Sequence, residues 1–298
     1  MKPRLSPFLC LLLAAALPLM AQAPASTATS QSAAGQSTTG QSAARPHLAT
    51  RPAPPPDLAA LHNLVALMRD KTTTPAQVVQ AVAQYTDKFP TSPYRETAYT
   101  LGMQFANSRR DYPDMLSFGD AALKVNPNAL VPLLMLGSAI PERVQPTDLN
   151  REQQLGLAAG YNHRALAIAQ HFPTVYNGHQ LAPQQVAEIQ REIRASAYSS
   201  LGVIAAIRGQ YAKAVTHLQQ ALSYDNARSK PLDYYRVGVA DVGLKQYAAA
   251  TAALHQALAL GANEPGLQNL ANGELQKIQR FTGAAAKPAA PPVHPPAH

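Results

Sequence analysis

Apolar and small residues recur at helical spacing through most of the chain, and one stretch carries the same pattern twice. The first copy spans Tyr198 to Leu222, and the second lies 36 positions later, from Tyr234 to Leu258. The matching positions are Tyr198, Leu201, Gly202, Gly209, Tyr211, Ala214, Leu218, Ala221 and Leu222, then Tyr234, Val237, Gly238, Lys245, Tyr247, Ala250, Leu254, Ala257 and Leu258. A fixed period of this size predicts stacked helix pairs. Gly202 and Ala214 are expected at the crossing of helix A and helix B, the two helices of a pair, because small residues permit close approach.

The aromatic residue, the Leu-Gly step, the separated alanines and the closing Ala-Leu resemble the tetratricopeptide repeat. That resemblance implies an all-α fold, a right-handed α-solenoid of about five antiparallel helix pairs with a C-terminal capping helix. It also implies a scaffold that binds other proteins.

Helical periodicity begins at Asp57 and predicts a repeat domain over residues 57–281. A second helix begins at Thr74-Pro75, an N-cap followed by proline, and completes a degenerate first pair. Leu101-Gly102 marks helix A of the second pair. Leu136-Gly137, 35 residues later, predicts a third helix A over about 129–140.

Two insertions interrupt the period after this point. A loop with Pro141 and Pro146 is expected to displace helix B of the third pair, which resumes near Asn150. Residues 171–183 form a second insertion, after which helix A of the fourth pair begins at Pro183 and is about two turns longer than usual.

The segment 264–281 follows the last repeat and is amphipathic, so we expect it to cap the open end of the array. Its apolar face is predicted to carry Leu267, Leu270, Leu275, Ile278 and Phe281. Its polar outer face would meet solvent.

Both ends of the chain differ in composition from this domain. Residues 1–23 have a basic start, an apolar run and a small-residue ending, the pattern of a secretory signal peptide with a mature chain beginning near Gln22. Residues 24–56 are rich in Ala, Ser, Gln and Pro, and residues 282–298 in Ala and Pro, so both predict disorder.

This signal pattern predicts export to the periplasm or the medium, with no transmembrane span in the mature chain. The single cysteine, Cys10, falls in the removed segment, which fits an oxidising compartment. The junction Phe89-Pro90-Thr91-Ser92-Pro93-Tyr94 also resembles inter-repeat junctions of periplasmic tetratricopeptide proteins.

The net charge of +8 is spread along the chain, with no basic run longer than Arg109-Arg110, so a nucleic-acid partner is not predicted. No metal or cofactor is expected, since His163 and His171 lie about 12 Å apart along a helix. Asp241 occupies a small-residue position, where burial would make it a candidate acid, but we expect it at the solvated rim. The chain is therefore predicted not to be an enzyme.

The resemblance implies that a partner lies along the concave face of the A helices. The corresponding residues are Tyr99, Met103, Ala106, Ser199, Val203, Ile207, Tyr235, Val239 and Val242. The face is mainly apolar and lacks the Lys and Asn of repeats that grip a terminal carboxylate. Alternatively, these residues pack against neighbouring helices or the 171–183 insertion.

The predicted function is a non-catalytic protein–protein interaction scaffold or adaptor in the cell envelope, with Tyr235 and Val239 as the expected binding hot spot. The alternative is a structural envelope component that self-associates without a separate client. The sequence leaves the client and the oligomeric state open.

Overall fold

A computed structural model describes residues 54–176, 178–224 and 230–285. The predicted signal peptide, most of the tether and nearly all of the C-terminal tail lie outside the described residues. Within them the helices are α1 (Pro56–Arg69), α2 (Pro75–Lys88), α3 (Arg95–Arg109), α4 (Tyr112–Val125), α5 (Leu130–Arg143), α6 (Arg151–Gln170), α7 (Pro183–Ile207), α8 (Tyr211–Ser223), α9 (Lys230–Gly243), α10 (Tyr247–Leu260) and α11 (Pro265–Ala285). Two short strands, β1 (Val175–Tyr176) and β2 (His179–Gln180), form an antiparallel hairpin between α6 and α7.

Consecutive helices pack as pairs, α3 on α4, α5 on α6, α7 on α8 and α9 on α10, and each pair packs on the next. This arrangement confirms the all-α helical repeat. The strands of the hairpin are two residues each and are the part of the described chain that the helical prediction missed.

The repeated glycines lie at the helix crossings, as the pattern predicts. A Cβ added to Gly202 would stand 2.6 Å from Cγ of Leu218, and one added to Gly238 would stand 2.7 Å from Cγ of Leu254. Both distances are well inside van der Waals contact, so only glycine lets these helices approach so closely.

The turn between helix A and helix B has the same backbone form in both copies of the pattern. Gly209 has φ of 74° and Lys245, its counterpart, has φ of 60°. A left-handed backbone conformation costs a residue other than glycine about 1 kcal/mol of stability. Lys245 therefore forms the same turn as Gly209 but is less favourable there.

The third and fourth pairs depart from the predicted boundaries. The prediction that Pro141 lies in a loop is wrong, because α5 continues through Pro141 to Arg143. α7 has 25 residues against 14 in α9, and the excess is about three turns rather than two.

The extra turns of α7 are explained by what they cover. Ile189 and Ile193 pack against Leu133 and Ala165 in a second hydrophobic cluster, which Phe172 of the insertion joins. The hairpin follows directly, with the ring of Tyr176 centred 5.1 Å from that of Phe172. The insertion thus closes the side of the third pair.

Ser92 fixes the junction between the first two pairs. Its hydroxyl donates to Oδ2 of Asp57 at 2.7 Å and lies 3.1 Å from the hydroxyl of Tyr85. It also accepts from the backbone N–H of Tyr94 at 3.2 Å. The start of α1, the end of α2 and the approach to α3 are therefore held by one side chain.

The terminal helix α11 packs against α9 and α10. Leu267, Ala271 and Ile278 are buried there. The predicted apolar face was wrong for Leu270, which is 44% exposed, because the helix turns Ala271 inward in its place. Phe281 is 54% exposed, but its ring stacks on that of Tyr247 at a centroid distance of 6.1 Å.

Candidate functional site

The structure buries three of the predicted groove residues. Met103, Ala106 and Ser199 are 0%, 2% and 6% exposed. Met103 and Ala106 belong to the largest hydrophobic cluster, which also contains Met135 of α5 and Leu201 of α7. Neighbouring helices cover this side of α3, so Met103 and Ala106 offer no surface to a partner. The prediction that these two residues and Ser199 line the groove is therefore wrong.

Ser199 belongs to a polar network that links three A helices. Its hydroxyl donates to Oδ1 of the buried Asp233 at 2.5 Å. Nη1 of Arg236 donates to Oγ of Ser199 at 2.8 Å and lies 3.2 Å from Oδ1 of Asp233, while Nη2 lies 3.4 Å from Oε1 of Glu142.

The A-helix face that was predicted to be mainly apolar therefore includes this polar network. The sequence prediction missed Asp233 and Arg236, although their spacing of three residues on a helix was a detectable signal for an ion pair. Glu142 could not have been paired with them in advance, since 94 residues separate it from Arg236.

Tyr235, predicted as a binding hot spot, packs against the cluster of Ala250, Leu254 and Ile278 together with Val242. Burial raises the pKa of its hydroxyl, and the nearby carboxylate of Glu274 on α11 raises it further. The tyrosine ring is thus half-buried between α9 and the terminal helix, so its first role is structural.

Of the remaining predicted residues, Tyr99 and Ile207 are half-buried and pack against the largest cluster. Val203 and Val239 are also half-buried, but they join none of the hydrophobic clusters found among the described residues. They stand 36 positions apart, at equivalent places on α7 and α9. These two valines are therefore the predicted groove residues that the described core clusters leave out.

The fold of this chain is similar to that of a solved structure. A MamA double mutant (MamA RS-1 ArsTM) matches 70% of this chain and 96% of that chain, with 14% identity and a TM-score of 0.50. MamA contains tetratricopeptide repeats. This chain has a tetratricopeptide-repeat-like fold.

The APC/C hetero-tetramer Cut9–Hcn1 is also similar, over 76% of this chain and 46% of that chain, with 15% identity and a TM-score of 0.33. No family model and no curated protein sequence matches the chain. The similarity to MamA, at 14% identity, shows the tetratricopeptide-like fold alone and leaves the function to be argued from the residues.

Asp241 is the one candidate for chemistry within the repeats, and its predicted position at the solvated rim is wrong. The residue is 4% exposed. Its equivalent in the preceding repeat is Ala205, also buried. Burial raises the pKa of the Asp241 carboxyl above its ordinary value of 3.8. Within the described chain the carboxyl has no hydrogen-bonding or ionic partner to offset that burial.

Asp241→Ala is therefore expected to raise the free energy of unfolding at pH 7 by about 1 kcal/mol, the low end of the cost of an unpaired buried polar group, because the carboxylate oxygens keep some contact with solvent. A raised folded-state pKa means that the ionised carboxyl opposes folding. The advantage of alanine should be full at neutral pH and shrink as the pH falls through the raised pKa towards 3.8. Urea unfolding at several pH values measures it, and an advantage that grows on acidification would contradict this account.

Within residues 54–176, 178–224 and 230–285, neither a cluster for a metal ion nor a membrane-spanning helix is found. No group of three or more His, Cys, Asp or Glu side chains there is placed to hold a metal ion. None of the helices in these ranges combines the length and apolar character needed to cross a membrane.

Proposed function

We propose that this chain is a non-catalytic protein–protein interaction scaffold exported to the cell envelope. The tetratricopeptide-like fold supports the scaffold, and the signal-peptide pattern of residues 1–23 supports export to the periplasm or beyond. The observation that carries the proposal is the pair Val203 and Val239, half-buried on successive A helices and free of the core clusters.

The spacing of these two valines constrains the geometry of the partner segment. Packed helices lie about 8 to 10 Å apart, and a polyproline II segment advances about 3.1 Å per residue with three residues per turn. A partner segment in that conformation would therefore place an apolar side chain on each valine with two residues between them. The Arg236–Glu142 pair joins α9 to α5, the A helix that precedes α7, and offers polar contacts to the intervening residues.

The test begins with the protein isolated from its native host, whose intact mass is expected to match a chain starting near Gln22. Crosslinking and pull-down then identify the partner captured by the wild type. Val239→Glu should abolish this capture, because a buried carboxylate would face the partner's apolar side chain. Helical circular dichroism should stay unchanged, since Val239 lies outside the core.

Leu157→Glu is the matched control. Leu157 is 49% exposed on α6, away from the A-helix face, so this variant should capture the partner normally. Capture by Val239→Glu at the wild-type level would refute the groove, and a retained Met1 in the bulk of the protein would refute export.

A self-associating envelope component is the second candidate, favoured by Leu270 and Phe281, which are exposed on the terminal helix. Such a chain would form oligomers without any added protein. Light scattering on the purified mature protein distinguishes the two functions. A self-associating component should form oligomers that Leu270→Glu dissociates, and a scaffold should not.

A further inference from the structure

The first three A helices each end in an arginine, at Arg69 of α1, Arg109 of α3 and Arg143 of α5. Lys71 and Arg110 follow two of these ends. All five side chains are exposed. We call this set the cationic edge; its members are scattered in sequence, and the fold brings them to one end of the first three pairs.

The edge contains a cavity of about 450 Å³. Its lining is Met68, Arg69, Asp70, Lys71, Phe105, Ser108 and Arg109. Phe105 is 8% exposed and Met68 is half-buried, so the floor is apolar while the rim is cationic.

Arg109 is held in place at this rim. Its guanidinium carbon lies 5.2 Å from the centre of the Phe105 ring. Nη2 lies 3.4 Å from the carbonyl oxygens of both Lys71 and Thr73. The end of α3 is thereby tied to the α1–α2 turn, and the cavity between them has defined walls.

A second cavity of about 270 Å³ is lined by Arg110, the residue that follows Arg109. Arg143 also lines it, with its guanidinium carbon 4.4 Å from the centre of the Tyr112 ring. The cationic edge thus continues across both cavities over aromatic and apolar surface.

The cations of the first cavity are not neutralised by carboxylates. Arg69 and Lys71 form no ion pair within the described chain, whereas Arg208 and Arg236 are paired with acids. Asp70 is the only acid in the lining, and its carboxylate already accepts from the backbone and hydroxyl of Thr72 at 2.9 and 2.8 Å.

Helix C-termini favour basic residues, but that effect is confined to the last turn of a helix. Lys71 lies two residues beyond α1 and is outside it. The preference of helix C-termini for basic residues therefore accounts for Arg69 and Arg109. It does not account for Lys71, the apolar floor or the cavity.

We propose that the cationic edge binds an acidic protein segment whose apolar side chain enters the first cavity while flanking carboxylates meet Arg69 and Lys71. This inference rests on the proposed scaffold function and adds a second surface to it. A nucleic acid fits less well, because Asp70, Asp111 and Glu142 lie among the cations and would repel a continuous run of phosphates.

The test uses the full mature chain and a fluorescein-labelled peptide, Gly-Asp-Glu-Phe-Asp-Glu-Gly, with binding followed by fluorescence anisotropy. Arg69→Glu combined with Lys71→Glu should weaken binding at least about tenfold, since electrostatic attraction at a charged cleft changes association by that order. The control variant, Arg191→Glu with Lys213→Glu, makes the same change of charge at exposed, unpaired positions elsewhere. Its affinity for the peptide should stay within about twofold of that of the wild type.

Replacing the phenylalanine of the peptide by alanine should weaken binding to the wild type about tenfold, the effect of emptying an apolar pocket. Equal losses in both double variants, or no effect of the alanine peptide, would overturn the proposal. So would binding of phosphatidylglycerol vesicles or a single-stranded oligonucleotide without binding of the peptide. Val239→Glu should bind the peptide normally. A result that overturns the cationic edge can therefore be distinguished from one that overturns the groove.

Discussion

Truncation of Leu254 to alanine is expected to lower the free energy of unfolding by about 2 to 5 kcal/mol. Leu254 is fully buried against Ala250, Ala271 and Ile278, where α9, α10 and α11 meet. Removing its branched end leaves a cavity that three packed helices close only partly. Urea unfolding followed by circular dichroism measures the loss.

The same site offers a double-mutant cycle. Gly238→Ala alone should cost about 1 to 3 kcal/mol, because its new Cβ would stand 2.7 Å from Cγ of Leu254 and 3.2 Å from the carbonyl oxygen of Ala250. In the Leu254→Ala background the added methyl enters vacated space and should cost clearly less. Additive losses would mean that the two residues do not share one packing site.

Gly156→Ala is the matched glycine control. Gly156 lies within α6, and a Cβ built there meets nothing within 4 Å. Alanine should therefore stabilise the protein by about 0.5 to 1 kcal/mol through helix propensity alone. Destabilisation here would show that glycine replacement harms this array wherever it is made.

Deletion of residues 265–298 should lower the melting temperature by roughly 10 °C or more, or cause aggregation. Loss of α11 exposes surface that Leu267, Ala271 and Ile278 now cover. Each large buried side chain contributes about 1.5 to 3 kcal/mol, and about 2 to 4 °C accompanies each kcal/mol in a domain of this size. The half-buried ring of Tyr235 would also lose its cover.

The control deletion removes residues 286–298, which are mostly Ala and Pro. Its melting curve should match that of the full chain, because such a segment has few apolar side chains to bury. If both deletions had the same effect, α11 would not act as the cap of the array. Differential scanning calorimetry and static light scattering separate unfolding from aggregation in each variant.

The periodic residues predicted the helices well because each repeat packs on itself by a local rule. Leu-Gly in helix A and Ala-Leu in helix B specify their own crossing, as the contacts of Gly202 and Gly238 show. The boundaries were less well predicted at Pro141 and in α7, since distant apolar partners extend those helices past the repeat.

The candidate site was predicted only in outline. The register assigned Val203, Val239, Met103 and Tyr235 alike to the groove, but the structure buries Met103 and packs Tyr235 against the terminal cluster. A helical period reveals which residues share a face. It does not reveal whether a neighbouring helix covers that face, as α11 covers Tyr235.

The amino-acid sequence by itself determined the repeat and the all-α class of this protein, because these depend on local spacing and composition. Only the tertiary structure decided which faces stay open, that Asp241 is buried, and that Arg69, Arg109 and Arg143 form one edge. The physical reason is that stacking brings equivalent helix ends together across 33 or more residues of intervening chain. Burial and electrostatic fields depend on that arrangement in space.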